Sequence, residues 1–115
     1  MQNKVTSYEL SKQLAEAGFD SDSHCGFYDL CHHDGNYYWT NLDPRDRFDH
    51  SGDIVYKAYD CFDLLMWLRE EGYNISFEFY TTKGLVGLSC NGEFYKEDLP
   101  QEALGQAVLK VVQGE

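Results

Sequence analysis

Residues 59–80 restrict the fold more than any other stretch. They read as a capped apolar helix, a glycine stop and an alternating strand. Asp60 can accept hydrogen bonds from the free N–H groups of the first turn, and Asp63 adds negative charge at the positive end of the helix dipole. Cys61, Leu64, Leu65 and Leu68 recur at helical spacing. Phe62, Met66 and Trp67 widen that stripe almost all the way round. Gly72 can take the left-handed conformation that ends the helix. Beyond it Tyr73, Ile75, Phe77 and Phe79 alternate with Asn74, Ser76, Glu78 and Tyr80, the period of a half-buried strand.

The flanking segments add elements to this unit. Thr6-Ser7-Tyr8-Glu9 fits a capping box with Thr6 as N-cap and Glu9 reaching back. With Leu10, Leu14 and Ala17 on one face and Gly18 as the stop, a helix is expected over residues 7–17. Phe19 is expected to pack just beyond the cap. Asp34-Gly35 is a two-residue hairpin signal between residues 26–33 and 36–40. Its expected register sets Leu30 opposite Trp39, Cys31 opposite Tyr38 and His32 opposite Tyr37. One face of the hairpin then carries Tyr28, Leu30, His32, Tyr37 and Trp39, the more core-like set. Residues 41–53 read as a long acidic surface loop around Pro44, and residues 54–56 as a short strand. Thr81 to Gly84 makes a looser turn, residues 85–90 a strand, Asn91-Gly92 a second tight turn, and residues 93–96 the return strand. Pro100 opens a last helix with Leu104, Ala107, Val108, Val111 and Val112 on its apolar stripe.

The element order is α-β-β-(β)-α-β-β-β-α. It predicts an α+β domain of two layers, a mostly antiparallel sheet of about five strands packed with three helices. At 115 residues the chain is expected to be a single domain, 1–115. No apolar run reaches the roughly 18 residues of a membrane span, and no signal-peptide layout opens the chain. A cytoplasmic setting, with no membrane partner, is the expectation.

Few residues suggest catalysis. His24, Cys25, Cys31, His32 and His33 have metal-ligand types, but their spacing lacks the two separated pairs of a structural zinc site. Cys61 sits in a first helical turn, where a thiol can be activated, yet Asp60 and Asp63 oppose this. Asp43, Asp46, Asp49 and Asp53 lack the spacing of a calcium loop, and Arg45 and Arg47 interrupt them. Gly84, Gly87 and Gly92 belong to strands and turns and not to a phosphate loop. The four cysteines read as reduced, mostly buried thiols. No metal, no cofactor and no enzymatic activity are expected.

Charge and tyrosine remain. Twenty acidic against nine basic residues leave a net charge of −11. Such a chain repels nucleic acid and is drawn to basic surfaces, although excess acid also serves solubility. Nine tyrosines are available, and tyrosine suits both interfaces and sheet surfaces. The candidate partner-binding residues are Asp43, Asp46, Asp49, Asp53, Tyr56, Glu70, Glu71, Tyr80, Glu93, Tyr95, Glu97 and Asp98.

Three stretches carry a family resemblance. They are Thr6 to Phe19, closing on Gly18-Phe19; Ala58 to Leu68 with its Leu64-Leu65-Met66-Trp67-Leu68 core, followed by Ile75 to Tyr80; and Glu102 to Lys110. The layout resembles a family of small uncharacterised proteins from bacteriophages and integrated mobile elements. Members often have Pro-Thr where this chain has Tyr59-Asp60. The resemblance implies a mobile-element origin and the cytoplasm of a bacterial host. The expected function is binding and inhibition of a host protein or ribonucleoprotein with a basic surface, for example a nucleic-acid-handling defence complex, in the manner of an anti-CRISPR or DNA-mimic protein. The alternative is a structural or regulatory phage accessory protein that self-associates. Either would be a monomer or homodimer without direct nucleic-acid binding.

Overall fold

The computed structural model of the protein describes residues 4–44, 54–80 and 85–114, with backbone alone at 79, 80, 85 and 86. The elements are α1 (Tyr8–Glu16), β1 (Phe27–Leu30), β2 (Tyr37–Thr40), β3 (Tyr56–Lys57), α2 (Cys61–Glu70), β4 (Ile75–Tyr80), β5 (Leu85–Cys90), β6 (Glu93–Glu97) and α3 (Pro100–Gln113). The α+β class is as expected. The strands divide differently, into two three-stranded antiparallel sheets ordered β2-β1-β3 and β4-β5-β6. The single sheet of about five strands is therefore corrected: β3 joins the first hairpin, at β1, and does not extend the second sheet.

The central helix keeps its expected form and gains a partner for its cap. The Asp63 N–H donates to Asp60 Oδ1 at 2.9 Å, and the Asp60 N–H donates to Asp63 Oδ2 at 3.1 Å, a reciprocal capping box. Ser23 Oγ also donates to Asp63 Oδ1 at 2.7 Å. Both α1 and α2 close as Schellman motifs. The Phe19 N–H donates to the Leu14 carbonyl and the Tyr73 N–H to the Leu68 carbonyl.

The start of α1 differs from expectation. Ser7 is the N-cap, its Oγ accepting from the Leu10 N–H at 3.2 Å. Thr6 points inward and is fully buried. Its hydroxyl lies 2.7 Å from Ser11 Oγ and accepts from the Tyr59 N–H at 3.2 Å. The reciprocal carboxylate comes from α3 and not from Glu9: the Ser7 N–H donates to Glu102 Oε2 at 2.9 Å. Gln101 donates to the Val5 carbonyl at 3.3 Å, and the Thr6 N–H to the Tyr59 carbonyl at 2.8 Å. The N-terminal ends of all three helices thus meet at residues 5–7.

The first hairpin is shifted by two residues from its expected register. Leu30 faces Tyr37, Asp29 faces Tyr38 and Tyr28 faces Trp39. The cause is the Asp34 side chain. It accepts from the Asn36 N–H at 2.9 Å and from the Tyr38 hydroxyl at 2.5 Å, while the Gly35 N–H reaches back to the Cys31 carbonyl. The result is a wider turn than a two-residue one. A shift of two leaves every side chain on its expected face. Tyr28 is indeed buried there with Val5 and Ala58, and Tyr37, Trp39, Tyr8 and Tyr56 pack around them. At Asn91-Gly92 the tight turn holds: both residues have positive φ, and Cys90 pairs with Glu93.

The larger core lies between α2, α3 and one face of β4-β5-β6, and Leu10 and Leu14 of α1 join it. Leu64, Leu68, Leu88, Leu104 and Val108 are fully buried in it. In β4 the expected alternation is observed, with Ile75 and Phe77 against this core and Ser76 and Glu78 exposed.

Asp63 leads to one prediction. Burial pushes its carboxyl above the ordinary range, against the opposing pull of its hydrogen bonds from Ser23 and Asp60. The folded chain then holds this proton more tightly than the unfolded chain, so ionisation at Asp63 weakens the fold as pH rises through its raised pKa. Asp63→Asn can keep both contacts by accepting from the Asp60 N–H and donating to Ser23. Relative to wild type, the variant is expected to gain stability as pH rises from the ordinary carboxylate range toward neutrality. Urea midpoints of both proteins across that range check it; parallel curves would contradict it.

Candidate functional site

Three carboxylates outside the candidate set are explained by the fold: Asp60 and Asp63 cap α2, and Glu102 caps α1. Glu70 and Glu71 are exposed at the C-terminal end of α2. There the helix dipole disfavours negative charge, and Arg69 is the basic residue of the last turn. Glu93, Glu97 and Asp98 lie on β6 and just after it. Burial pushes the Glu97 carboxyl up, and the neighbouring charges of Glu102 and Asp98 push the same way. These like charges are crowded together. Asp43 is half-buried. Asp46, Asp49 and Asp53 lie outside the described residues, as does the Tyr80 side chain.

The two candidate tyrosines with described side chains, Tyr56 and Tyr95, turn inward. Tyr8 of α1 stacks on Tyr37 at 4.8 Å and meets Tyr28 and Tyr56 edge-on, each at 5.9 Å. These rings fasten α1 to the first sheet, and Tyr56 is half-buried among them. Tyr95 packs against the larger core, and burial raises its hydroxyl pKa. Sequence alternation along β6 missed this, because the acids beside Tyr95 suggested an exposed ring.

The residues with chemical potential do not assemble. Among the described residues no three His, Cys, Asp or Glu side chains converge on a metal-sized site. His24 lies against Phe27 at 4.7 Å, and its Nδ1 is buried without a hydrogen-bond partner. Burial, with the Asp60 charge, pushes the Cys61 thiol up, the opposite of nucleophilic activation. All four cysteines are free.

One surface was not among the candidates. Cys61, Phe62 and Leu65 of α2 face Pro100 and Leu104 of α3 across an open groove of about 360 Å³, with Phe77 of β4 also lining it. A second hollow continues past Phe62 and Pro100 to Leu99, Lys4 and Asp60. Phe62 is 66% exposed and Leu99 40% exposed. Leu42 and Ile54 are as open as Phe62, so exposure alone does not single this place out; Phe62 and Leu99 differ in lining one continuous hollow. The signal was in the sequence: α2 carries more apolar residues than one buried face requires, and Phe62 is the surplus. Leu99 stands at the N-cap of α3 with no side-chain cap, a position where Ser or Asp would serve the helix better.

No family model matches this chain, and neither a curated protein nor a solved structure matches it. No helix of the described residues is long and apolar enough to cross a membrane.

Proposed function

We propose that this chain is an acidic binding protein, of phage or mobile-element origin, that blocks a basic surface of a host protein or ribonucleoprotein in the bacterial cytoplasm. A nucleic-acid-handling defence complex is the favoured target class, in the manner of an anti-CRISPR or DNA mimic. Binding requires neither catalysis nor a cofactor. The supporting observation is that Glu70 and Glu71 sit against the α2 dipole, and that Glu97 and Asp98 crowd beside Glu102. On a chain of net charge −11 this leaves acid free for a basic partner.

The test is charge reversal. Replacing Glu70, Glu71, Glu97 and Asp98 by lysine is expected to weaken capture of a basic partner from host lysate by on the order of 100-fold, and to flatten its salt dependence. Retention equal to wild type at all salt concentrations would dismiss the acidic surface as the binding element.

A second reading is a phage accessory protein that self-associates. It is favoured by the two edges of the second sheet, since β4 and β6 each pair only with β5 among the described residues. Light scattering at high concentration decides between monomer and assembly.

A further inference from the structure

We propose that the groove between α2 and α3 is the anchor site for a basic amphipathic helix of the partner protein, which inserts apolar side chains between Phe62 and Pro100. The inference rests on the acidic-partner reading above and names the surface and the chemistry of what binds there. The groove is walled by Phe62 and Leu65, one turn apart on α2, and by Pro100 on α3, backed by the buried Leu104. A helix that lies across such walls engages them through its own i and i+4 side chains. At about 360 Å³ the groove is the size of a small ligand pocket and accommodates an aliphatic anchor.

Charge selects the occupant. Asp98 and Glu97 lie one and two residues before Leu99, within about 8 Å of chain from the apolar wall. Glu97 already carries the repulsion of Asp98 and Glu102. Lys4 and Asp60 both line the mouth, one charge of each sign. A second copy of this chain would bring the same carboxylates to the same rim, like charge against like. A helix flanked by lysine or arginine relieves that crowding as it buries Phe62. Central apolar anchor and charged rim are the usual division of an interface.

The test uses a fluorescein-labelled helical peptide with leucines at i and i+4 and Lys/Arg flanks, and a control with the same leucines and Glu flanks. Anisotropy is read against wild type, Phe62→Ser and Leu99→Ser, at low and high salt. Phe62 is exposed, and Leu99→Ser supplies the missing N-cap oxygen, so an unchanged melting temperature shows that neither variant acts by unfolding. The expected result is binding of the basic peptide on the order of 10-fold tighter than the control, weakened by salt, and weakened again by on the order of 10-fold in each variant. Basic-peptide binding equal in wild type and both variants would remove the groove while leaving the acidic surface standing. Equal binding of both peptides, lost on Phe62→Ser, would remove the basic partner and count against the acidic reading as well. No peptide binding overturns the proposal. If wild type then sediments as a dimer that Phe62→Ser dissociates, the occupant is a second copy.

Discussion

Gly26→Ala is expected to lower the melting temperature of the protein by about 10 °C or more, the consequence of a loss of about 3 kcal/mol or more. Gly26 has φ +92°, a conformation that a Cβ disfavours by roughly 1–2 kcal/mol. The space is also taken. A Cβ there would stand 2.4 Å from Trp39 Nε1 and 2.6 Å from the Thr40 carbonyl oxygen. The indole cannot swing aside freely, because its N–H donates to the Cys25 carbonyl at 2.8 Å. Nor can the backbone of Gly26 move without loss, since its carbonyl accepts from the Ala58 N–H at 3.0 Å. The strain therefore falls on the junction between β1, β2 and the segment entering α2. Thermal melts followed by circular dichroism measure the loss. A variant as stable as wild type would mean that Gly26 does not hold this conformation in solution.

Leu88→Ala should cost about 2–5 kcal/mol. Leu88 is fully buried on β5, the middle strand of its sheet, between Phe77 on β4 and Tyr95 on β6. It belongs to the same cluster as Leu104 and Val108 of α3. Neighbours on both strands and the helix above limit how far the site can collapse around a missing isobutyl group, so most of the cavity should persist. For a domain whose total stability is about 5–15 kcal/mol, this is a large share. Urea denaturation should show a lower midpoint with an unchanged slope. A midpoint within error of wild type would place Leu88 outside the cooperative core.

The parts of the fold legible in the sequence were those set by local chemistry. Asp60 and Gly72 bound the central helix because a carboxylate cap and a left-handed stop act over a few residues. The Asn91-Gly92 turn has the expected form: both residues take positive φ, and the Asn91 side chain accepts from the Asn74 N–H without widening the turn. Asp34-Gly35 failed as a two-residue turn because the Asp34 carboxylate has better use: it accepts from Asn36 and Tyr38 and widens the loop. The cap of α1 was misread for a long-range reason. Thr6 fits the N-cap pattern, but its hydroxyl is taken by Ser11 of α1 and by the N–H of Tyr59, a partner 53 positions away that no local pattern announces. The split into two sheets was likewise invisible, because it depends on where the short strand Tyr56–Lys57 docks. At the candidate site the acids Glu70, Glu71, Glu93 and Asp98 are exposed, as their type suggests. Tyr56 and Tyr95 are held inward by ring stacking and by α3, and the groove at Phe62 emerges only when α2 and α3 are side by side.

The Ser7–Glu102 hydrogen bond joins residues 95 positions apart. The first helix therefore receives its second capping group from almost the far end of the chain. During synthesis Glu102 emerges long after residues 7–17 have left the ribosome, so α1 spends that interval as a short, half-capped segment of marginal helicity. The Gln101 bond to Val5 imposes the same order. Closing such a long loop is slow relative to local helix formation. The capping of the first helix is therefore complete only once the third has docked.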